Sequence, residues 1–192
     1  MSVVPLRSPQ QWSDEQIKLT ATKNRRVAMN MLIEKYRQQL FRHALYILRD
    51  QDEAYDIVQE TFVRAIRETR LFEPEFRVKA WLFRVAKNLC LNQVRNTNRR
   101  AAILHANPQP DCQEAQQWKN MFDGEQAILM METLSRLSED HRDILVLRYY
   151  DELSYAEIAQ VLDIKLGTVM SRLSRARQRI LEILPSEFQS EM

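Results

Sequence analysis

The sequence predicts an all-α protein made of two small helical domains joined by a flexible linker, and three observations predict it. Apolar residues recur every three or four positions through most of the 192 residues, and no segment shows the two-residue alternation of a half-buried strand. Only two glycines occur, whereas ordinary usage is about 7%. Residues 107–111 hold two prolines among polar residues and interrupt the helical pattern. We therefore expect helical domains over residues 15–96 and 125–185, with a linker over residues 97–124.

The first domain is predicted to contain three helices, each with an apolar stripe at helical spacing. The first stripe consists of Met29, Leu32, Ile33, Tyr36, Leu40, Ala44, Ile47 and Leu48. The second stripe consists of Ile57, Val58, Thr61, Phe62, Ala65 and Ile66. Pro74 then breaks the helical pattern, and the third helix begins near Lys79. The inward residues of this third helix are Leu82, Val85, Ala86 and Leu89.

The second domain is predicted to contain a helix-turn-helix. Ser138 is placed to cap a helix whose first turn is acidic. Further on, Ser154 and Glu157 fit a capping box at the start of a short helix. A turn of four residues, 163–166, leads to a longer helix that ends before Pro185. A short helix, a tight turn and a basic helix together form the unit whose second helix enters the major groove of DNA.

The last predicted helix has an apolar side and a polar side. Its inward stripe consists of Val169, Leu173, Ala176, Ile180 and Leu184. Its outward residues are Thr168, Ser171, Arg172, Arg175 and Arg179. Small hydroxyl groups allow close approach to a duplex, and arginine binds guanine at two positions or contacts phosphate. The alternative is an amphipathic surface helix with scattered arginines, but the capping box, the turn length and the basic side coincide and favour DNA recognition.

The charges are segregated along the chain. Residues 1–100 hold 19 lysines and arginines against 11 acids, whereas residues 101–192 hold 9 against 15. Two stretches, 76–110 and 164–181, contain several basic residues and no acid, as expected of surfaces that bind phosphate. Residues 50–60 contain five acids and suit a basic partner. The alternative for each stretch is a solvated helix face.

The sequence contains no recognisable motif of an enzyme active site or of a metal site. The glycines are too few and too far apart for a nucleotide-binding loop or a nucleophile elbow. His43, His105 and His141 lie in separate segments, and Cys90 and Cys112 form no metal-ligand motif. We expect no enzyme activity, no cofactor and no metal; zinc analysis would test a site made of both cysteines and His105. Without a membrane span or a disulfide framework, the chain is expected to be cytoplasmic.

Several segments resemble conserved regions of bacterial extracytoplasmic-function (ECF) sigma factors. In the second half, LSYAEIA (153–159), GTV (167–169) and SRLSRAR (171–177) look like their region four. Upstream, DIVQETF (56–62) resembles their region-two helix, and AWLFRVAKN (80–88) resembles their promoter-melting helix. The similarity extends from about residue 19 to residue 184. All three motifs in this order, across a polar linker, make the resemblance specific.

This resemblance implies a sigma factor that binds core RNA polymerase and directs promoter-specific initiation in a stress or envelope response. Core polymerase would be bound through the clamp coiled coil of its largest subunit and through its flap. The residues that match the clamp-binding positions are Asp56, Gln59 and Glu60. Those that match positions facing the minus-ten element are Arg84, Asn88, Asn92 and Arg95, in a stripe that continues to Asn96 and Arg99. Those that match positions facing the minus-thirty-five element are Thr168, Ser171, Arg172, Ser174 and Arg175.

Two features depart from the family pattern. The loop over residues 72–79 would receive a flipped minus-ten base, yet Glu73 and Glu75 place acids near that pocket. Met170 stands where many relatives carry a basic residue. We expect Met170 to give a weaker and more sequence-restricted upstream contact.

Trp81 and Phe83 could stack on bases, but their spacing beside Leu82 assigns them to the core or to its edge. The resemblance also implies promoter DNA and an anti-sigma factor as partners. The anti-sigma factor would cover the docking and DNA faces and could hold the protein at the inner membrane, without membrane insertion of this chain.

Two other classes of protein are alternatives to a sigma factor. One is a helix-turn-helix regulator whose residues 125–185 bind DNA and whose first half is an interaction module. That model leaves the asparagine-rich basic helix and the acidic face unexplained, and a regulator would need another sigma factor for transcription. The other is a helical adaptor, which would show no salt-sensitive DNA binding.

Overall fold

The computed structural model describes residues 12–103, 133–134 and 136–183. These residues are helical apart from short connections and contain no strand, as the sequence predicts. The chain divides into two compact units, residues 1–93 and 94–192. Across the described residues, no helix is both long enough and apolar enough to cross a bilayer.

The first unit begins with a helix that the sequence analysis did not identify. Helix α1 spans Asp14–Lys23 and starts with a capping box between Ser13 and Gln16. Helix α2 spans Arg25–Leu48, and the side chain of Asn24 accepts a hydrogen bond at its first turn. The capping box could have been read from the sequence, but α1 buries a single residue, so its apolar stripe is too short to see.

Helix α1 is attached to α2 by a shared carboxylate and by one buried side chain. Asp14 Oδ1 accepts hydrogen bonds from Lys35 Nζ and from Tyr36 Oη, each at 2.6 Å. Ile17 is almost completely buried. These contacts fix the helix to the unit although its other side is exposed.

Helices α3 and α4 supply the rest of this core. Helix α3 spans Gln51–Arg67 and is capped by Asp50, which accepts a hydrogen bond from the Glu53 amide at 2.8 Å. Its predicted stripe is buried up to Ala65, but Ile66 is 57% exposed, so its assignment to the core was wrong. Each residue turns a helix by about 100°, and this step after Ala65 carries Ile66 out of the core and towards solvent.

Helix α4 spans Val78–Ile103 and begins one residue before the predicted start. It continues seven residues beyond Asn96, into the stretch that the sequence analysis assigned to the linker. Residues 97–99 are polar, so the apolar pattern is interrupted there, but no proline or glycine stops the helix. Residues 104–124 of the predicted linker lie outside the described residues.

The second unit contains the predicted helix-turn-helix. Helix α5 spans Glu139–Leu145, a π-helical segment continues over Val146–Tyr150, and helix α6 spans Tyr155–Leu162. Both bonds of the capping box are present: the Glu157 amide donates to Ser154 Oγ at 3.3 Å, and the Ser154 amide donates to Glu157 Oε2 at 2.7 Å.

The predicted cap of α5 is wrong in one respect, because the Ser138 side chain makes no capping hydrogen bond. The amides of His141 and Arg142 instead donate to the Ser138 carbonyl oxygen, each at 3.0 Å. Glu139 and Asp140 in the first turn place negative charge at the positive end of the helix. The helix therefore starts where predicted without the side-chain cap.

The recognition helix of this motif is α7, which spans Leu166–Ile183. The turn before it passes through Asp163, whose φ of 55° is left-handed and ends α6. The predicted inward residues of α7 that the structure describes are all buried: Val169, Leu173, Ala176 and Ile180. Leu184, the fifth, lies outside the described residues. The opposite side of α7 is left exposed.

Candidate nucleic-acid interface

The acidic face of α3 is formed by three residues at helical spacing. Asp56 and Gln59 are exposed, and Glu60 is half-exposed beside them. Glu60 Oε1 accepts a hydrogen bond from Arg64 Nε at 2.8 Å, one turn along the same helix. This ion pair partly neutralises Glu60, so Asp56, together with the exposed Asp52, supplies most of the negative charge on the face.

Apolar side chains share this face, and the sequence analysis missed them. Tyr55, Val63 and Ile66 are exposed on α3, and Tyr55 stacks on Phe41 of α2 with ring centroids 4.3 Å apart. With Gln59 they are spaced at steps of four, four and three, which is one side of a helix. That spacing was available in the sequence, but it runs beside the buried stripe and could not be separated from it. The face is thus acidic and apolar together, which suits a protein partner.

The polar face of α4 carries the residues predicted to meet the minus-ten element. Arg84, Asn88, Asn92 and Arg95 are all exposed, at steps of four, four and three. The helix contains no aspartate or glutamate in its 26 residues, so these arginines have no acidic partner along their own helix. The opposite side is fully buried: Leu82, Phe83, Ala86 and Cys90. The polar face therefore rests on a rigid core.

The two aromatic residues at the start of α4 differ in exposure. Phe83 is buried and meets the buried His43 edge-on, with ring centroids 5.3 Å apart. Trp81 is half-exposed beside Phe76, with ring centroids 6.0 Å apart. Trp81 precedes Arg84 by three residues and lies on the same side of the helix. Phe83 is therefore a core residue, as predicted, whereas Trp81 lies at the edge of the polar face.

Cys90 lies on the buried side of α4. Burial raises the pKa of its thiol to about 12. A thiol with so high a pKa is protonated and unreactive at neutral pH. Among the residues that the structure describes, no cluster of potential metal ligands occurs. The zinc site considered above would also need His105 and Cys112, which lie outside the described residues.

The recognition helix α7 carries the residues predicted to meet the minus-thirty-five element. Ser171, Ser174 and Arg175 are exposed, whereas Thr168 is half-buried. The hydroxyl group of Ser171 donates to the carbonyl oxygen of Thr168 at 3.1 Å. Arg172 is only 24% exposed, and its Nη1 lies 3.1 Å from Asp140 Oδ1 of α5. The structure thus presents Ser174 and Arg175 outward and attaches Arg172 to α5.

Two exposed apolar residues flank this polar set. Met170 and Leu166 lie one turn apart in the first half of α7, and each is about half exposed. A Cβ added to Gly167 between them would meet no atom within 4 Å, so this part of the helix is open to solvent. Met170 is therefore accessible to a molecule that binds α7. Its predicted position at the DNA contact requires this exposure.

Comparison with known proteins finds a matching family model for each half of the chain. A family model described as Sigma-70 region 2 matches residues 32–100, and one described as Sigma-70, region 4 matches residues 127–180. The ECF RNA polymerase sigma factor SigL of Mycobacterium tuberculosis is 32% identical over 149 residues, covering 77% of this chain and 84% of the relative. This chain belongs to the ECF family of RNA polymerase sigma factors. The RNA polymerase sigma-H factor of Pseudomonas aeruginosa is 29% identical to this sigma factor over 187 residues, covering 88% and 93% of the two chains.

A solved structure shares the fold of this sigma factor. The sigma factor RpoE from Bartonella quintana, in complex with the anti-sigma factor NepR, matches with a TM-score of 0.62 and 25% identity. The match covers 80% of this chain and 94% of that one. The family assignment makes this protein a transcription initiation factor and favours that function over a regulator that needs another sigma factor.

Proposed function

We propose that this sigma factor directs initiation by presenting three separate faces, one to core RNA polymerase and two to promoter DNA. The observation that carries the proposal is the polar face of α4, where amides and guanidinium groups project from a helix that has no acid of its own. Such a face suits unpaired bases and phosphates. The domain bounds predicted from the sequence, residues 15–96 and 125–185 around a linker, belong to this proposal.

Core polymerase is bound through α3 in this proposal. Asp56, Gln59 and Glu60 contact the clamp coiled coil of the largest subunit, and the exposed Tyr55 and Ile66 add apolar area beside them. Acids at the rim of an interface speed association and select a basic partner, whereas buried aromatic and aliphatic groups supply most of the affinity. The second unit contacts the polymerase flap.

The minus-ten element is bound by α4 as a single strand. Arg84 and Arg95 contact phosphates, and Asn88 and Asn92 bind base edges with a donor and an acceptor each. The half-exposed Trp81 lies beside Arg84 at the end of the face that is closer to the α3–α4 loop. Because the loop adjoins this end of the polar face, an unstacked base of the bound strand would enter the loop.

The minus-thirty-five element is bound by α7 in the major groove. Arg175 and Ser174 contact base edges, because they are exposed, whereas the exposed Ser171 is hydrogen-bonded to the Thr168 carbonyl oxygen within the helix. Thr168, Ser171 and Arg172 complete the contact by holding or approaching the phosphate backbone. A guanidinium group has five N–H donors, so the ion pair of Arg172 with Asp140 leaves donors for a phosphate.

An anti-sigma factor is a further proposed partner, supported by the solved complex of RpoE with NepR. It would cover the α3 face and the DNA faces and could retain the protein at the inner membrane. The protein acts in the cytoplasm, with polymerase and DNA, and RNA synthesis itself is catalysed by the polymerase.

Transcription from genomic fragments by core polymerase plus this protein tests the proposal. We expect RNA chains that start at a defined set of promoters and that are absent with core polymerase alone. Asp56→Lys should abolish initiation and binding to core polymerase, whereas Glu34→Lys, the same charge reversal at an exposed position of α2, should leave both nearly unchanged. Initiation that requires another sigma factor would refute the proposal and favour a helix-turn-helix regulator.

A further inference from the structure

Two cationic side chains attach the loop between α3 and α4 to the first two helices of the chain. Lys18 of α1 donates from Nζ to the carbonyl oxygen of Pro74 at 2.7 Å. Arg25, at the start of α2, donates from Nη2 to the carbonyl oxygen of Glu68 at 2.7 Å. These bonds join residues 56 and 43 positions apart in the sequence. One of them holds the start of the loop, and the other holds its middle.

Arg25 makes further contacts with the same loop. Its Nη1 donates to the carbonyl oxygen of Thr69 at 3.5 Å, and its guanidinium carbon lies 5.2 Å from the centre of the Phe72 ring. A planar guanidinium group fixes the positions of two carbonyl groups and one ring at once, which an ammonium group cannot do. Further along, the Phe76 amide donates to the Glu73 carbonyl oxygen at 3.1 Å, so the loop is also folded on itself.

The held loop ends at the polar face of α4. Leu71 and Val78 are buried and anchor the two ends of an exposed stretch. Within this stretch Phe76 packs on Trp81, which begins the polar face. Glu73 Oε2 accepts from Arg70 Nε at 3.1 Å, so Glu75 is the exposed acid of this stretch that carries no such ion pair within the loop.

We propose that Lys18 and Arg25 are positioning residues for the minus-ten strand, because they hold the α3–α4 loop in the conformation that receives an unpaired base. This inference rests on the proposed function of α4. Both residues precede residue 32, where the match to the region 2 family model begins, so the family match does not assign them a role. A loop held in advance loses less conformational freedom when it binds a base, and it discriminates better between bases.

The test uses Lys18→Met, Arg25→Met and the double variant, with Lys23→Met and Arg26→Met as matched controls. The controls remove the same charges from exposed positions of the same two helices. Hydrogen exchange of the loop amides is measured on the free protein. Opening of the minus-ten element is measured with reconstituted holoenzyme, at saturating sigma factor, on a promoter carrying each of the four bases at the unpaired position.

We expect exchange of the loop amides to accelerate about tenfold or more in the double variant and promoter opening to fall about tenfold, since three charge-assisted hydrogen bonds are lost. Discrimination between bases should decrease, whereas affinity for core polymerase should stay unchanged. Lys18→Arg keeps a cationic hydrogen-bond donor at this position, so its promoter opening should be close to that of the wild type and higher than that of Lys18→Met.

Three results would overturn the inference and leave the proposed function intact. Unchanged exchange of the loop amides in the double variant would show that the hydrogen bonds of Lys18 and Arg25 do not hold the loop. Faster exchange of the loop amides, with promoter opening and base discrimination unchanged, would show that the hydrogen bonds of Lys18 and Arg25 stabilise the loop without positioning the strand. An equal loss in the control variants would assign the effect to net charge. A wild-type holoenzyme that opens no promoter would refute the proposed function itself, and this role with it.

Discussion

Helices α4 and α7 both rest on a buried apolar stripe and present arginines to solvent, but they hold these arginines differently. Helix α4 has no acid, so none of its arginines can form an ion pair along the helix. In α7, Arg172 is paired with Asp140 of α5, and Arg179 is paired with Glu182 one turn away. The Ser171 hydroxyl group is likewise bonded within α7.

This difference matches the two kinds of DNA that we propose for the helices. A duplex has a fixed groove, so Arg172, held in advance by Asp140, can approach its phosphates with little loss of entropy while the exposed Arg175 contacts base edges. A separated strand has no fixed shape, and amides and long cationic side chains that are not held can follow it. The comparison therefore predicts that α4 determines binding of the melted strand and α7 determines binding of the duplex.

The largest effect is expected when the amides of α4 are removed. Asn88→Ala combined with Asn92→Ala should weaken binding of the single-stranded minus-ten element by holoenzyme about 100-fold, because each amide bound to a base contributes about 1–3 kcal/mol. Binding of a minus-thirty-five duplex should stay the same. Competition binding with fluorescent oligonucleotides measures both. Asn30→Ala with Gln38→Ala, exposed amides of α2, is the control, and an equal loss there would contradict the comparison.

The next largest effect is expected at Arg175. Arg175→Ala should lower the affinity for the minus-thirty-five duplex about tenfold or more, as for the loss of an arginine bound to a base. Arg179→Ala on the same helix should have a small effect, because Arg179 is paired with Glu182. Titrations against duplexes with single base changes measure this. If both variants lose affinity equally on every sequence, α7 supplies charge alone and reads no base.

Alkaline pH should distinguish the cores behind the two helices. Burial raises the pKa of Cys90 to about 12, above that of an unfolded thiol, so the folded protein keeps a proton that the unfolded chain loses. From about pH 9 to about pH 12, this thiol should reduce the free energy of unfolding by about 1.4 kcal/mol for each pH unit. Below pH 9 the thiol should have no effect. Helix α7 has no cysteine and no such dependence.

Urea unfolding at pH 8, 9 and 10, followed for the wild type and for Cys90→Ala, measures the contribution of the thiol. The dependence of the variant's unfolding free energy on pH should lack the part of the slope that the thiol causes. Identical slopes in the two proteins would show that the thiol ionises in the folded state.

A smaller effect is expected when the pair of Arg172 and Asp140 is broken. Asp140 is largely exposed, so the pair should contribute no more than about 1 kcal/mol to stability. Asp140→Asn should reduce affinity for the minus-thirty-five duplex about threefold, because Arg172 loses its fixed position. A double-mutant cycle with Arg172→Ala measures the coupling between the two residues. Glu139→Gln is the control, and full additivity would show that the pair positions nothing.

The smallest effect is expected from Met170→Arg. One added cation at an exposed position of α7 should raise the affinity for the upstream element about twofold and broaden its sequence preference. The steeper dependence of affinity on salt should confirm an added phosphate contact. Binding to a library of upstream elements compares the variant with the wild type. Without a gain in affinity or a broader preference, Met170 does not explain a restricted upstream contact.

Much of the fold follows from local sequence. The capping box of Ser154 and Glu157 and the inward stripe of α7 were predicted, because each depends on residues within a few helical turns. The predicted interruption at Pro74 lies within the loop that separates α3 from α4, although α3 already ends at Arg67. Helix α1 was missed because it buries a single residue and shows no stripe, and the extension of α4 beyond Asn96 was missed because residues 97–99 are polar and interrupt the apolar pattern.

The candidate site was predictable as a set of faces but not as a set of contacts. The exposure of Asn88 and Arg175 follows from their spacing against the buried stripes. The ion pair of Arg172 with Asp140 and the exposure of Ile66 were not predictable, because both depend on which helix packs beside another.

The sequence by itself determined most of the helices, the helix-turn-helix, the acid-free basic stretches and the family. These are decided by periodicity, capping and composition, which act over a few residues. Only the tertiary structure decided which cations stay available and which are used internally. Lys18 reaches Pro74 across 56 residues of sequence, and no local pattern encodes that distance, because it depends on the packing of whole helices.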